Sequence, residues 1–242
     1  MVDILTAFTV GAVVNSVLAA SQTSHPGRWG RPLPPVILHD RFFVTGITIT
    51  LLYQLATASL LLATSLVLQS GMRLSPLHTA LMHIPFALGA AFSIAVAGRR
   101  LVVKLGRLIT PVGVAVQIAA LALMAAGVLY ADTPFSLPLL GSGFGLCGCG
   151  MGLVSAPLPA FAMAQVPVAH AGAASGLFRT GQQFGAALGM ATLGGFYLSQ
   201  TATVPAQWSS AFITLLAMNG LILLLIALLS RGLPGDVHRQ PE

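Results

Sequence analysis

Six apolar runs recur along this chain, at about 43 to 69, 77 to 98, 108 to 130, 136 to 163, 172 to 197 and 208 to 230. Each holds the roughly 20 residues that a helix rising about 1.5 Å per residue needs to cross a bilayer. A hydrocarbon interior tolerates only backbone whose N–H and C=O groups are satisfied internally, so the pattern predicts an all-α polytopic membrane protein. Short breaks set the boundaries: Ser70-Gly71-Met72-Arg73, the basic stretch from Gly98 to Arg107, Ala131-Asp132-Thr133-Pro134, Gln165-Val166-Pro167, and the polar segment from Ser199 to Gln207. A shorter run from Ile4 to Ala20 precedes them, followed by a connector rich in Pro and Arg. The expected organisation is a short first membrane helix over 1–20, a cytoplasmic connector over 21–42, a six-helix bundle over 43–231 and a cytoplasmic tail over 232–242. A chain that enters a short span almost directly after Met1 reads as the continuation of something upstream.

Composition agrees. Of 242 residues, 56% are hydrophobic and 7% charged, with a mean hydropathy of +0.89, whereas soluble domains are about a quarter charged. The formal net charge of +6 raises nucleic acid as a partner, but the basic residues lie between the apolar runs. Arg28, Arg31, Arg41, Arg99, Arg100, Lys104, Arg107, Arg231 and Arg239 fall on one side and Arg73 on the other. Cytoplasmic loops collect Lys and Arg, so topology accounts for the charge, no nucleic-acid partner is expected, and the carboxy-terminus is cytoplasmic. Cys147 and Cys149 form no disulfide or zinc framework, and neither metal nor cofactor is expected. The glycines at 141, 143, 145, 148, 150 and 152 lack the Gly-Lys-Ser/Thr of a phosphate cradle and read as a packing surface, which Pro157 and Pro159 kink or end. Ser175, within Gly172-Ala173-Ala174-Ser175-Gly176, lacks the strand-turn-helix setting of a nucleophile, and no paired acids exist, so the chain is not expected to be an enzyme.

One run is different. Between Gly172 and Gly195 stands Arg179, with Gln182 and Gln183 close behind. At 100° per residue Gly172, Ser175, Gly176, Arg179, Gln182, Gln183, Ala186 and Met190 share a face, with Gly181, Gly185 and Gly189 along its side as a surface for close helix packing. A central Arg costs about 2.5–3.5 kcal/mol to insert, and each large apolar residue returns only about 0.3–0.6. The helix is therefore marginal alone, and Arg179 is expected to face a bundle interior or a watery cavity.

The order of these features resembles the carboxy-terminal half of a major facilitator superfamily transporter, in the fourteen-helix drug:proton antiporter branch. AGAASGLFRTGQQFGAALGMATLG, from Ala171 to Gly194, is similar to the penultimate helix of that branch. LSPLHTALMHIPFALGAAFSIAVAGRR, from Leu74 to Arg100, is similar to its Leu-Ser-Pro entry, Pro-containing helix and basic loop; the run from Gly145 to Pro167 fits its Gly-rich helix ending in a Pro pair. Two departures stand out. Many relatives carry Arg where Gln182 stands, and the loop with Gly98, Arg99, Arg100, Lys104, Gly106 and Arg107 has an extra residue and no acid compared with the Gly-x-x-x-Asp-Arg-x-Gly-Arg gating motif. The resemblance implies a six-helix transporter half-bundle preceded by one short membrane helix, in the cell (plasma) membrane. It further implies a missing amino-terminal half as partner, a small-molecule substrate, protons as coupling ion, and Arg179, Gln182, Gln183 and Ser175 lining a midplane cavity.

The acids Asp3, Asp40, Asp132, Asp236 and Glu242 all stand near span ends, and Arg179 keeps its proton at any working pH. His83, with His78 nearby, is the remaining candidate for proton coupling in this chain. A homodimerising half-transporter or a non-transporting membrane scaffold is the competing expectation.

Overall fold

The computed structural model describes residues 41–96, 106–131, 133–163, 166–167, 170–203 and 207–231. The expected short first helix, the connector up to residue 40, the loop residues Gly98, Arg99, Arg100 and Lys104, and the tail over 232–242 lie outside these, while the last two connector residues, 41 and 42, are helical. Helices α1 (Arg41–Leu66), α2 (Pro76–Val96), α3 (Ile109–Leu129), α4 (Ser136–Ser155), α5 (Leu158–Met163), α6 (Ala171–Gly189), α7 (Gly195–Thr203) and α8 (Trp208–Ser230) follow in order. No strand occurs among the described residues, and the protein is an all-α polytopic membrane protein.

Local chemistry explains the ends. Ser75 caps α2, its Oγ accepting from the His78 N–H at 3.3 Å, with Pro76 at the first helical position where no N–H is needed. Ser136 opens α4 and donates to the Gly127 carbonyl at 2.8 Å, which ties it to the end of α3. Pro157 separates α4 from α5. Gly106 has φ 49° at the turn into α3, a left-handed conformation that suits glycine. A π-helical turn at Val67–Gly71 ends α1, and a second at Met190–Gly194 joins α6 to α7, so the helix is continuous from Ala171 to Thr203.

Among the described residues five segments are long and apolar enough to cross a membrane: Phe43–Gly71, Pro76–Ala95, Ile109–Leu129, Ser136–Met163 and Trp208–Ser230. The helix carrying Arg179 does not join that group, consistent with its marginal insertion energy.

The principal packed pairs are α1 with α6, α2 with α4, α3 with α4, α3 with α8, and α1 with α8. Exchanging α1, α2 and α3 for α4, α6 and α8 leaves this set unchanged. Glycine contacts give the directions. Gly181 faces Ile47, Gly185 faces Leu51 and Gly189 faces Leu55, so α6 runs parallel to α1; Gly145, Gly148 and Gly152 meet Pro85, Phe86 and Ser93, so α2 and α4 are also parallel. Gly127 against Leu140 and Gly113 against Val154 make α3 antiparallel to α4, and Gly71 against Trp208 does the same for α1 and α8. Directions alternate, so the second group of three is inverted relative to the first, an internal repeat of the kind found in transporters.

The seams are tight because they are built from backbone. A Cβ on Gly189 would strike the Leu55 carbonyl oxygen and lie 2.7 Å from its carbon, and one on Gly185 would strike the Leu51 carbonyl oxygen. Between apolar helices in lipid no water is released, so close contact of this kind is the main attraction available.

Candidate functional site

Three polar groupings stand out on this frame. The first is the outer face of α6. Arg179, Ser175 and Gln183 are exposed and Gln182 is half-buried. The Arg179 guanidinium donates through Nη1 to Gln182 Oε1 at 3.2 Å, and Ser175 Oγ lies 3.9 Å from the Met163 sulfur. None of the four lies inside the six-helix core; the glycine side of α6 occupies that position. Gly181 is looser than its neighbours, with 3.5 Å between an added Cβ and Ile47. Arg179 stands eight residues into its helix, about 12 Å from that end, on the side of the bundle where α1 begins.

The second grouping lies near mid-height and was not visible in the sequence. Gln117 of α3, 3% exposed, donates through Nε2 to the Tyr53 hydroxyl of α1 at 2.8 Å. Thr57 lies close to that hydroxyl, and the Cys147 thiol of α4 lies beside the same amide. Among the described residues Gln117 Oε1 has no hydrogen-bond partner. The amide fits because Gly150 of α4 leaves room for the Gln117 side chain. A lone Gln amid apolar residues gave no periodic signal; only the tertiary pairing with Tyr53 reveals it.

The third is His83 on α2. Its Nδ1 lies 2.8 Å from the Thr79 carbonyl, its Nε2 3.4 Å from Ser65 Oγ of α1, and its ring 5.0 Å from that of Phe144 on α4. His78 is exposed and bonds Ser75 Oγ through Nδ1 at 2.7 Å. The structure therefore separates the sequence candidates: Arg179 lies toward the end where α1 begins and His83 toward the end where α2 begins. Of the loop candidates only Gly106 and Arg107 fall in described backbone, in the turn Gly106–Leu108.

Residues 4–190 match the Major Facilitator Superfamily. The chain belongs to this superfamily. Over 156 residues it is 31% identical to the multidrug resistance protein Stp of Mycobacterium tuberculosis strain CDC 1551 / Oshkosh, and equally to that of strain ATCC 25618 / H37Rv. The alignment covers 64% of this chain and 27% of the relative, so the chain matches about a quarter of the length of the curated relatives. Membership of a superfamily of membrane transporters accords with the inverted groups of three helices, and it points away from enzyme chemistry. Among the described residues no cluster of three or more His, Cys, Asp or Glu is placed to hold a metal ion.

Proposed function

We propose that the chain is the carboxy-terminal half of a proton-coupled secondary transporter of the fourteen-helix branch, exporting drugs or similar small molecules. In this reading an amino-terminal half covers α2 and α6, which are one of the three pairs that exchange under the internal repeat, and a substrate cavity lies between the halves. The observation that carries the proposal is the exposed polar face of α6. Left against lipid, Arg179 costs about 2.5–3.5 kcal/mol, and Ser175 and Gln183 add to that burden. A watery cavity or a second bundle against that face removes the cost. Beyond His78 in its first turn, the exposed residues on α2 are apolar by contrast, with Leu77, Leu81, Ile84, Leu88 and Phe92 in a row, suited to contact with lipid or a partner helix.

The similarity to a multidrug resistance protein supports the choice of substrate class, and Arg179, Gln182, Gln183 and Ser175 are assigned to the cavity wall. The excess of basic residues on one side supports a cytoplasmic carboxy-terminal end, and in this reading the membrane is the plasma membrane. The test is Arg179→Ala in the transporter assembled with its amino-terminal half. Efflux of a fluorescent cationic dye from cells is expected to be abolished while the protein still reaches the membrane in normal amount. Undiminished efflux by that variant would sink the assignment.

A further inference from the structure

We propose that His83 is a proton-binding site, held between α1, α2 and α4 so that its neutral and charged forms are both fully hydrogen-bonded. Its use in coupling rests on the transporter reading above, whereas the site itself rests on geometry. A carbonyl oxygen only accepts, so the 2.8 Å contact with Thr79 requires a proton on Nδ1 in either form. Nε2 is therefore the atom that gains and loses a proton, and it faces Ser65 Oγ.

Ser65 has one hydroxyl hydrogen and two claimants for it: Nε2 at 3.4 Å and the Leu61 carbonyl at 2.9 Å. When the ring is neutral, Nε2 presents a lone pair and the hydroxyl turns to it; Leu61 still has its place in the helical backbone ladder. When the ring is charged, Nε2–H donates to Ser65 Oγ and the hydroxyl turns back to Leu61. One hydroxyl rotation serves both states, and no side chain needs to leave its rotamer. Phe144, its ring tilted 51° at 5.0 Å, flanks the imidazole and gives the cation an aromatic neighbour.

No fixed charge competes for the role. From Phe43 to Gly71, Pro76 to Val96 and Ser136 to Ser155, the three helices contain no Asp, Glu, Lys or Arg. Their titratable groups besides His83 are Tyr53, engaged by Gln117, His78, turned to Ser75, and the thiols Cys147 and Cys149. Proton uptake therefore places one uncompensated positive charge at the seam between α1 and α2, and favours whichever state of the transporter lets water reach that seam.

The experiment is nitrogen-15 NMR of histidine in the full chain in lipid nanodiscs, with the His83 signal assigned by its loss in His83→Gln and independently through its contact with Phe144. At alkaline pH the ring is expected as the Nδ1–H tautomer, and at acidic pH with both nitrogens protonated. Ser65→Ala, which removes a charge-assisted bond, should lower the doubly protonated share by about threefold at a pH where the wild type is partly charged, and Ser65→Thr should restore it. Three results overturn the proposal: the Nε2–H tautomer at alkaline pH, a ring whose protonation does not change with pH, or a wild-type share in Ser65→Ala. A chain that titrates as described but moves no substrate in its assembled transporter refutes the transporter reading alone; transport with a fixed ring refutes the proton site alone.

Discussion

Two glycines of one helix should respond in opposite directions to the same substitution. Gly176 and Gly189 both lie in α6, and replacing either with Ala removes backbone freedom from the unfolded chain, which stabilises a helix by about 0.5–1 kcal/mol. At Gly176 an added Cβ meets nothing within 4 Å, so that gain stands alone. At Gly189 the Cβ lies 2.7 Å from both the Cα and the carbonyl carbon of Leu55. These are backbone atoms of α1 and cannot yield by changing rotamer, so the helices must part, at the overpacking cost of about 1–3 kcal/mol. The helix-propensity gain is common to both variants and cancels in their difference, leaving about 1–3 kcal/mol, or roughly 5- to 150-fold in the unfolding equilibrium. Titrating each purified variant from mild detergent into sodium dodecyl sulfate, with helicity followed by circular dichroism, measures this directly. Gly189→Ala should unfold at clearly lower denaturant than wild type and Gly176→Ala at equal or higher. Matching midpoints would refute the backbone contact between α6 and α1.

The mid-height amide and the orientation offer further tests. Tyr53→Phe strips Gln117 of its bonded partner and leaves a buried amide unsatisfied, with an expected loss of about 1–3 kcal/mol in the same unfolding titration. Gln117→Leu removes the whole group, including its unpartnered oxygen, and leaves Tyr53 beside Thr57, so it should be near neutral; a larger loss than for Tyr53→Phe would contradict this account. In a background with Cys147 and Cys149 replaced by Ala, a membrane-impermeant maleimide added to intact cells should label an Arg73→Cys variant and spare an Arg231→Cys variant, because the two sites lie at opposite ends of the bundle. Labelling of both from outside would overturn the assigned orientation.

Element boundaries were readable because composition changes abruptly where water begins. The expected span at 77 to 98 is α2 (Pro76–Val96), and that at 208 to 230 is α8 (Trp208–Ser230). The Pro pair that was expected to kink or end the Gly-rich helix stands where α4 gives way to α5. The π turns were not legible, since Val67–Gly71 and Met190–Gly194 differ from ordinary helix in registry and not in residue type. Nor was the partner of each face of α6. The polar stripe and the glycine stripe adjoin, and period alone cannot say which meets α1; the carbonyls of Leu51 and Leu55 decide for the glycines. The Gln117–Tyr53 bond escaped for a related reason, as the two residues stand 64 apart and neither belongs to a motif. His83 was singled out for its titratable ring, but the carbonyl that fixes its tautomer is a property of the folded helix.

The glycine contacts have a mechanical consequence. Where side chains interlock, as knobs in holes, sliding one helix along another must shear them. A seam of backbone against backbone presents no such teeth. It holds firmly against separation where backbones touch, as at Gly185, Gly189 and Gly148, yet it offers little to oppose gliding along the shared axis. Among the described helices two of these rails carry parallel helices, α6 on α1 and α4 on α2, and the internal repeat relates one to the other. A helix bundle built this way can change its internal tilt by small, matched slips along two tracks while its core stays shut to lipid.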